Sequence, residues 1–216
     1  MRITVFDTET NGIIPKEYKS QGSLENFPYM LQLGSITYDS ETKMISNIIN
    51  TIIKIPDSVV IPENVSNINS ITKERTINEG VDIENVLDIF NNNVKTSDII
   101  VAHNIDFDIN ILKMECIRNN KVNELEVLSS NKKIFCTMTN GTKICKIKKE
   151  NSFGKYYKWP TLEELHYYLF GKKLQNMHDA YNDLLICLRC YMYMNYKIDI
   201  MSENEEIKKD ILKLII

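Results

Sequence analysis

Apolar and polar positions divide the chain into a strand-rich first third and a helix-rich remainder. Residues 2–6, RITVF, form a short apolar run of strand type, followed by a polar stretch punctuated by Pro15, Gly22 and Pro28. Two β-branched runs, 31–38 and 44–55, flank the turn-like DSETK and predict a hairpin. Residues 56–80, with Pro56 and Pro62, follow neither period and read as irregular. Ile83, Val86, Leu87 and Phe90 fall at i, i+3, i+4 and i+7, one face of a helix. DIIVAHN (98–104) reads as a buried strand running into a loop, with a helix over 106–119, and KKIFCTM (132–138) as another short strand. Further helices are predicted over TLEELHYYLF, opened by a Thr161/Glu164 capping box, and over 179–195. A last one, 202–216, is opened by Ser202 with Glu205 and gathers Ile207, Ile211, Leu214 and Ile215 on one face. No repeat or low-complexity linker interrupts the chain. Strands first and alternating helices later predict a three-layer α/β domain on a mixed sheet.

Composition narrows the function classes. With 216 residues, 43% hydrophobic and 25% charged, the chain suits one globular domain with a sizeable core. A net charge of -3 provides no global attraction to polyanions, so nucleic acid would have to be held by a local patch or by bound metal. No stretch approaches the ~20 apolar residues of a membrane span and no signal peptide is evident, which predicts an intracellular, cytoplasmic protein, or a nuclear or viral-replication-site one outside bacteria. The five cysteines, Cys116, Cys136, Cys145, Cys187 and Cys190, are odd in number and read as reduced core thiols. The Cys187/Cys190 CxxC lacks the second Cys or His pair that a zinc site needs. Ile (32) and Asn (24) far outnumber Gly (7), a bias toward AT-rich codons that fits a low-GC bacterium, a protist or a large DNA virus.

The candidate chemistry lies in three acidic stretches: DTETNG with Asp7 and Glu9, HNIDFDINIL with Asp106 and Asp108, and HDAYND with His178 and Asp183. On a strand, residues i and i+2 share a face, so Asp7 and Glu9 project side by side and repel unless a cation lies between them. Strand ends and helix starts are where α/β sheets expose functional groups. Carboxylates converging with few imidazoles suit a hard cation such as Mg²⁺ or Mn²⁺ rather than zinc.

Together the three stretches resemble the motifs of the DEDDh family of 3′–5′ exonucleases, which includes the proofreading subunit of bacterial DNA polymerase III. The first is Asp-x-Glu-Thr-Thr-Gly, with Asn11 here in the second Thr position. His103, Asn104, Phe107, Asp108 and Leu112 match the second, and His178, Ala180 and Asp183 the third. NSITKE and the Leu-Glu-Glu-Leu segment extend the likeness over about residues 1–195.

The resemblance implies a ribonuclease H-like α/β/α fold with a mixed, mainly five-stranded sheet, residues 1–195 forming the exonuclease domain and 196–216 an amphipathic helix packed on the domain or on a partner. It selects Asp108 over Asp106, and His178 as the fifth catalytic residue beside Asp7, Glu9, Asp108 and Asp183. It further implies that the four acids bind two divalent ions, Mg²⁺ or Mn²⁺, that His178 takes the proton of the attacking water, and that Thr10, Asn11, Gly12 and Asn104 contact the terminal nucleotide. His103 and His166 read as structural. The expected activity is release of nucleoside 5′-monophosphates from single-stranded DNA ends in proofreading, repair or degradation. RNA trimming is the alternative, and an idle nucleic-acid or polymerase-binding module a more distant one. A polymerase or a second copy of the chain is a candidate partner, and a membrane is not. Residues 143–159 carry six lysines and one acid among Phe153, Tyr156, Tyr157 and Trp159, and read either as a strand-binding element or as a solvated loop with its aromatics folded inward.

Overall fold

The computed structural model describes residues 1–15, 24, 27–121, 133–175, 177 and 179–216. The first apolar run continues through the acidic stretch as β1 (Arg2–Thr10), the middle strand of the sheet. β1 pairs antiparallel with β2 (Met30–Asp39), and β2 pairs antiparallel with β3 (Met44–Ile52). On its other side β1 runs parallel to β4 (Ile99–Ala102), which is parallel to β5 (Lys133–Cys136). The order β3-β2-β1-β4-β5 is the mixed five-stranded sheet expected from the sequence.

Alternation along the strands builds two cores. Ile3, Val5, Ile36, Tyr38, Ile99 and Val101 face α7 (Ala180–Tyr196), a helix buried almost continuously from Leu184 to Met192. Phe6, Leu33, Ile49, Ile100 and Ala102 face α3 (Ile83–Lys95) and α4 (Ile105–Arg118) through Leu87, Phe90, Ile111 and Leu112. Helices thus cover both faces, giving the α/β/α layering.

Residues 56–80, expected to be irregular, contain α1 (Glu63–Asn69) and α2 (Lys73–Asn78). Both are under two and a half turns and largely polar, so they carry no apolar period, and Pro62 stands at the first cap instead of breaking a helix. α5 (Thr137–Cys145) follows β5 directly. Residues 143–159 are not a loop: β6 (Lys148–Asn151) and β7 (Gly154–Tyr157) form a separate two-stranded ribbon. α6 (Leu162–Phe170) opens with the Thr161/Glu164 capping box read from the sequence.

The last helix is shorter than expected. α8 spans Glu205–Leu212, capped by Asn204, whose side chain accepts from the amides of Glu206 and Ile207. Ser202 cannot serve as the cap, because it lies in a short 3-10 turn with its hydroxyl donating to Asp199 O. Ile207, Ile211 and Leu214 join the core formed by α7, and Leu174 bridges Ile215.

One position decides how closely α7 approaches the sheet. Gly34 lies opposite Asp7, and a Cβ there would stand 2.9 Å from Ala180 Cβ and 3.1 Å from Leu184 Cδ1. Gly34→Ala is therefore expected to force the start of α7 off β2 at a cost of about 1–3 kcal/mol, and Gly34→Val more. A lowered urea midpoint with unchanged slope would show this, and an unchanged midpoint would refute the close approach.

Candidate active site

β1 runs on to Thr10 after β4 has paired only with Ile3, Thr4 and Val5. The last residues of β1 therefore have an open edge on that side, at the junction where the sheet changes from antiparallel to parallel pairing. Such junctions at strand ends are where open α/β sheets place their ligands.

Three elements bring acids to this edge. Asp7 and Glu9 follow the parity of Ile3 and Val5, toward α7, and Asp183 stands in the first turn of α7. Ligand oxygens of Asp7, Glu9 and Asp183 lie within 4.8 Å of one another. Asp108, buried in the first turn of α4, comes from the opposite face. Its Oδ1 accepts from the Thr8 amide at 3.0 Å and the Thr8 hydroxyl at 2.7 Å, so it fills the hydrogen-bonding position that β4 leaves empty. Both Asp108 and Asp183 benefit from the positive ends of their helices.

The electrostatics record the crowding. Burial raises the Asp7 carboxyl from 3.8 to about 6. Burial and then the charge of Asp7 raise Glu9 from 4.5 to about 8; Asp179 adds to this, while a hydrogen bond from the Asn69 side chain opposes it. Asp108 is also raised, by burial and then by Asp7, against the two bonds from Thr8. Oxygen-only donors, already short of positive charge, fit a hard divalent cation.

The expected nucleotide contacts divide. The Asn11 amide is used within the protein: Nδ2 donates to Val60 O at 3.0 Å and Oδ1 accepts from Tyr29 N at 2.7 Å. Thr10 Oγ1 donates to Gly12 O at 2.6 Å. These bonds hold the turn after Glu9 against a cavity of about 500 Å³ lined by Asn11, Gly12, Phe27, Tyr29 and Val60 among others. Asn104 takes left-handed backbone (φ 69°) between β4 and α4, and its side chain makes no capping bond to the helix. Neither Asp106 nor Asp108 is in the group of oxygens within 4.8 Å, but Asp108 is linked to it through Thr8 and feels the charge of Asp7. His178 lies outside the described residues.

The other two histidines are braces. His103 Nε2 is 3.1 Å from Pro160 O and Nδ1 is 2.9 Å from Thr137 Oγ1. A carbonyl only accepts, so Nε2 carries the proton and Nδ1 accepts from the hydroxyl. Burial lowers its pKa to about 4. His166, fully buried, donates from Nδ1 to Lys172 O and accepts at Nε2 from Arg189, which also grips Asp199. Its pKa is likewise lowered to about 4, by burial and then by the Arg189 charge.

Sequence reasoning assigned no role to Thr8, Asn69 or Gly34. Thr8 was accessible in principle, since alternation turns it away from Asp7 and Glu9 and toward α4. Asn69 belongs to the NSITKE segment, whose link to Glu9 is a long-range contact that periodicity does not reveal.

Comparison with known proteins places the chain in a family and shows where its fold recurs. The RNase T exonuclease profile matches residues 4–191. The chain therefore belongs to the exonuclease family, the DEDD superfamily of 3′–5′ exonucleases. Solved structures with the same fold include a moderately thermophilic Exonuclease I from Methylocaldum szegediense, at 16% identity and TM-score 0.64 over 98% of this chain. Escherichia coli Exonuclease I in complex with a dA16 oligonucleotide matches at 16% identity and TM-score 0.64 over 96%. The chain spans 45% of the length of each of these. Among curated protein sequences none matches.

The raised carboxyls make a pH prediction. In the unfolded chain Glu9 loses its proton near 4.5 and Asp7 near 3.8, against about 8 and about 6 in the folded chain. The folded state binds more protons between these limits, so this contribution to stability is complete below the unfolded values and is lost as pH rises through 6 and 8. In EDTA, Glu9→Gln is expected to gain Tm relative to the natural chain as pH rises from about 5 to about 8. Mg²⁺ should narrow the difference by favouring the charged form. A Tm difference independent of pH would contradict the assignment.

Proposed function

We propose that this chain removes nucleoside 5′-monophosphates one at a time from the 3′ ends of single-stranded DNA, with two bound Mg²⁺ or Mn²⁺ ions. The observation that carries the reading is the convergence of Asp7, Glu9 and Asp183 within 4.8 Å, with Asp108 tied to the same strand through Thr8. The DNA preference is supported by the oligonucleotide bound to the Escherichia coli neighbour.

In this reading the four carboxylates hold the ions, which when bound supply Lewis acidity to water and to the phosphoryl oxygens. Thr8 fixes the Asp108 carboxylate, and Gly34 admits the start of α7 so that Asp183 reaches Asp7 and Glu9. The turn Thr10–Asn11–Gly12, held by the Asn11 amide, is assigned the terminal nucleotide, beside the cavity lined by Phe27 and Tyr29. His178 is assigned the proton of the attacking water. This is consistent with His103 and His166 being neutral and occupied at both ring nitrogens.

End-labelled DNA and RNA oligomers incubated with Mg²⁺, Mn²⁺ or EDTA test activity, polarity and sugar preference together. Stepwise shortening of DNA from the 3′ end, stopped by EDTA, is expected. Asp7→Ala or Asp183→Asn should lower the rate by ~10³-fold or more, since several kcal/mol of transition-state charge stabilisation are lost. Far-ultraviolet circular dichroism should stay unchanged. Full activity in either variant would refute the site, and faster shortening of RNA would move the substrate to RNA.

A further inference from the structure

No residue of the β6–β7 ribbon is buried in the core: every residue of both strands is exposed, Tyr156 and Tyr157 to about half of their surface (47% and 49%). Isolated two-stranded hairpins are marginal in water, so the core gives no reason for this one to be there. Its side chains are not those of a solvated turn. Register sets Lys148 opposite Tyr157 and Lys149 opposite Tyr156, so each face of the ribbon shows a lysine beside a tyrosine. At the tip Phe153 is 97% exposed, its amide bonded to Asn151 Oδ1, and just past the root Trp159 is 65% exposed. Lys155 stands opposite Glu150 and Lys158 pairs with Glu164, so the lysines that face tyrosines are Lys148 and Lys149.

The root of the ribbon is tied to the acidic centre. The chain leaves α5 into β6 and returns from β7 to Pro160, where the carbonyl accepts from His103 Nε2. The other nitrogen of His103 binds Thr137, the first residue of α5. One half-buried imidazole thus joins Pro160, just past the ribbon, and Thr137, at the end of α5 away from the ribbon, to the turn that starts α4, whose first turn carries Asp108. At ~3.3 Å per residue, four-residue strands carry the tip about 13 Å from this root.

We propose that the β6–β7 ribbon is an arm that holds the substrate strand upstream of its 3′-terminal nucleotide. Lys148 and Lys149 meet phosphates, and the exposed aromatics stack on unpaired bases. The charge argument is one of contrast. The whole chain has a net charge of -3, whereas its segment 143–159 holds six lysines and one acid. A polyanion approaching this protein therefore meets attraction here. Stacking on π faces selects unpaired bases without selecting sequence.

The arm rests on the exonuclease reading, and the test separates the two. Binding is measured in EDTA, where cleavage is absent, by fluorescence anisotropy of a labelled oligothymidylate of about 15 nucleotides, from about 50 to 200 mM salt. Combined Lys148→Ala and Lys149→Ala is expected to flatten the log–log salt slope by about 1.4, at ~0.7 per lysine. Combined Tyr156→Ala and Tyr157→Ala should weaken binding by about tenfold or more at every salt concentration. With Mg²⁺, both variants should hydrolyse a dinucleotide, too short to reach the arm, as fast as the natural chain. Unchanged affinity and slope in both would overturn the arm while leaving the nuclease intact, and so would equal losses on the dinucleotide and the long strand. If the natural chain hydrolyses no 3′ end of any length, the exonuclease reading fails, and the anisotropy alone still decides whether the arm binds DNA.

Discussion

The constraint on which this structure depends is the overhang of β1 beyond β4. Because β4 pairs only with Ile3, Thr4 and Val5, the acidic half of β1 has a free edge and two usable faces. One face meets α7 and collects Asp7, Glu9 and Asp183; the edge and the other face receive Asp108 from α4. Had β4 continued alongside, its own groups would have taken the Thr8 amide and Asp108 would have no anchor. Gathering these charges is unfavourable: at the 4.8 Å limit each like-charged pair repels by on the order of 3 kcal/mol at an effective dielectric constant near 20. The hydrophobic layers on both sides hold the arrangement against that repulsion, and the result is a centre that favours protons or cations over remaining bare.

The same economy appears in the two described histidines. His166 is buried and His103 half-buried; each is engaged at both nitrogens, and each joins segments distant in sequence. His103 ties the β4–α4 turn to α5 and to Pro160, and His166 ties α6 through Arg189 to Asp199. A charged imidazole at His166 would have to donate to the Arg189 guanidinium, which cannot accept. At His103 the Thr137 hydroxyl can turn to the Ala102 carbonyl and accept, so there the desolvation cost alone opposes the charge. Burial against a cationic neighbour makes that especially costly at His166. Both rings have their pKa lowered to about 4 and both nitrogens occupied, which suits bracing rather than proton transfer.

How much was legible in the sequence follows from the range of each interaction. The Asp7–Glu9 pair, the buried strands, the face of α3 and the Thr161/Glu164 cap are local, set by a period of two, by a period near four, or by a three-residue spacing. All are present in the structure. α1 and α2 were missed because helices of seven and six residues, with only Val65 and Ile68 apolar in the first and Ile77 in the second, have no stripe to detect, being held by caps and by contacts such as the bond between Asn69 and Glu9. The ribbon was missed because a strand exposed on both faces shows no apolar alternation. The Ser202 cap failed because a competing local bond to Asp199 O takes its hydroxyl. Thr8, Asn69 and Gly34 act through partners 100, 60 and 146 residues away, Asp108, Glu9 and Ala180, and no window on the sequence spans that.

The distance between this chain and the solved exonucleases can be read in the same terms. At 16% identity most matched positions differ, yet the fold is retained at TM-score 0.64. Cores tolerate such exchange provided volume and patterning are kept. The acidic centre makes a different kind of demand, because it depends on parity and close approach more than on volume. It needs acids two apart on the middle strand, a residue without Cβ on the neighbouring strand, and a carboxylate in the first turn of each of two helices on opposite faces. Gly34 shows how narrow that demand is. A single methyl group there adds little volume to the core, yet it would meet Ala180 at 2.9 Å and lever the helix that carries Asp183 away from its partners.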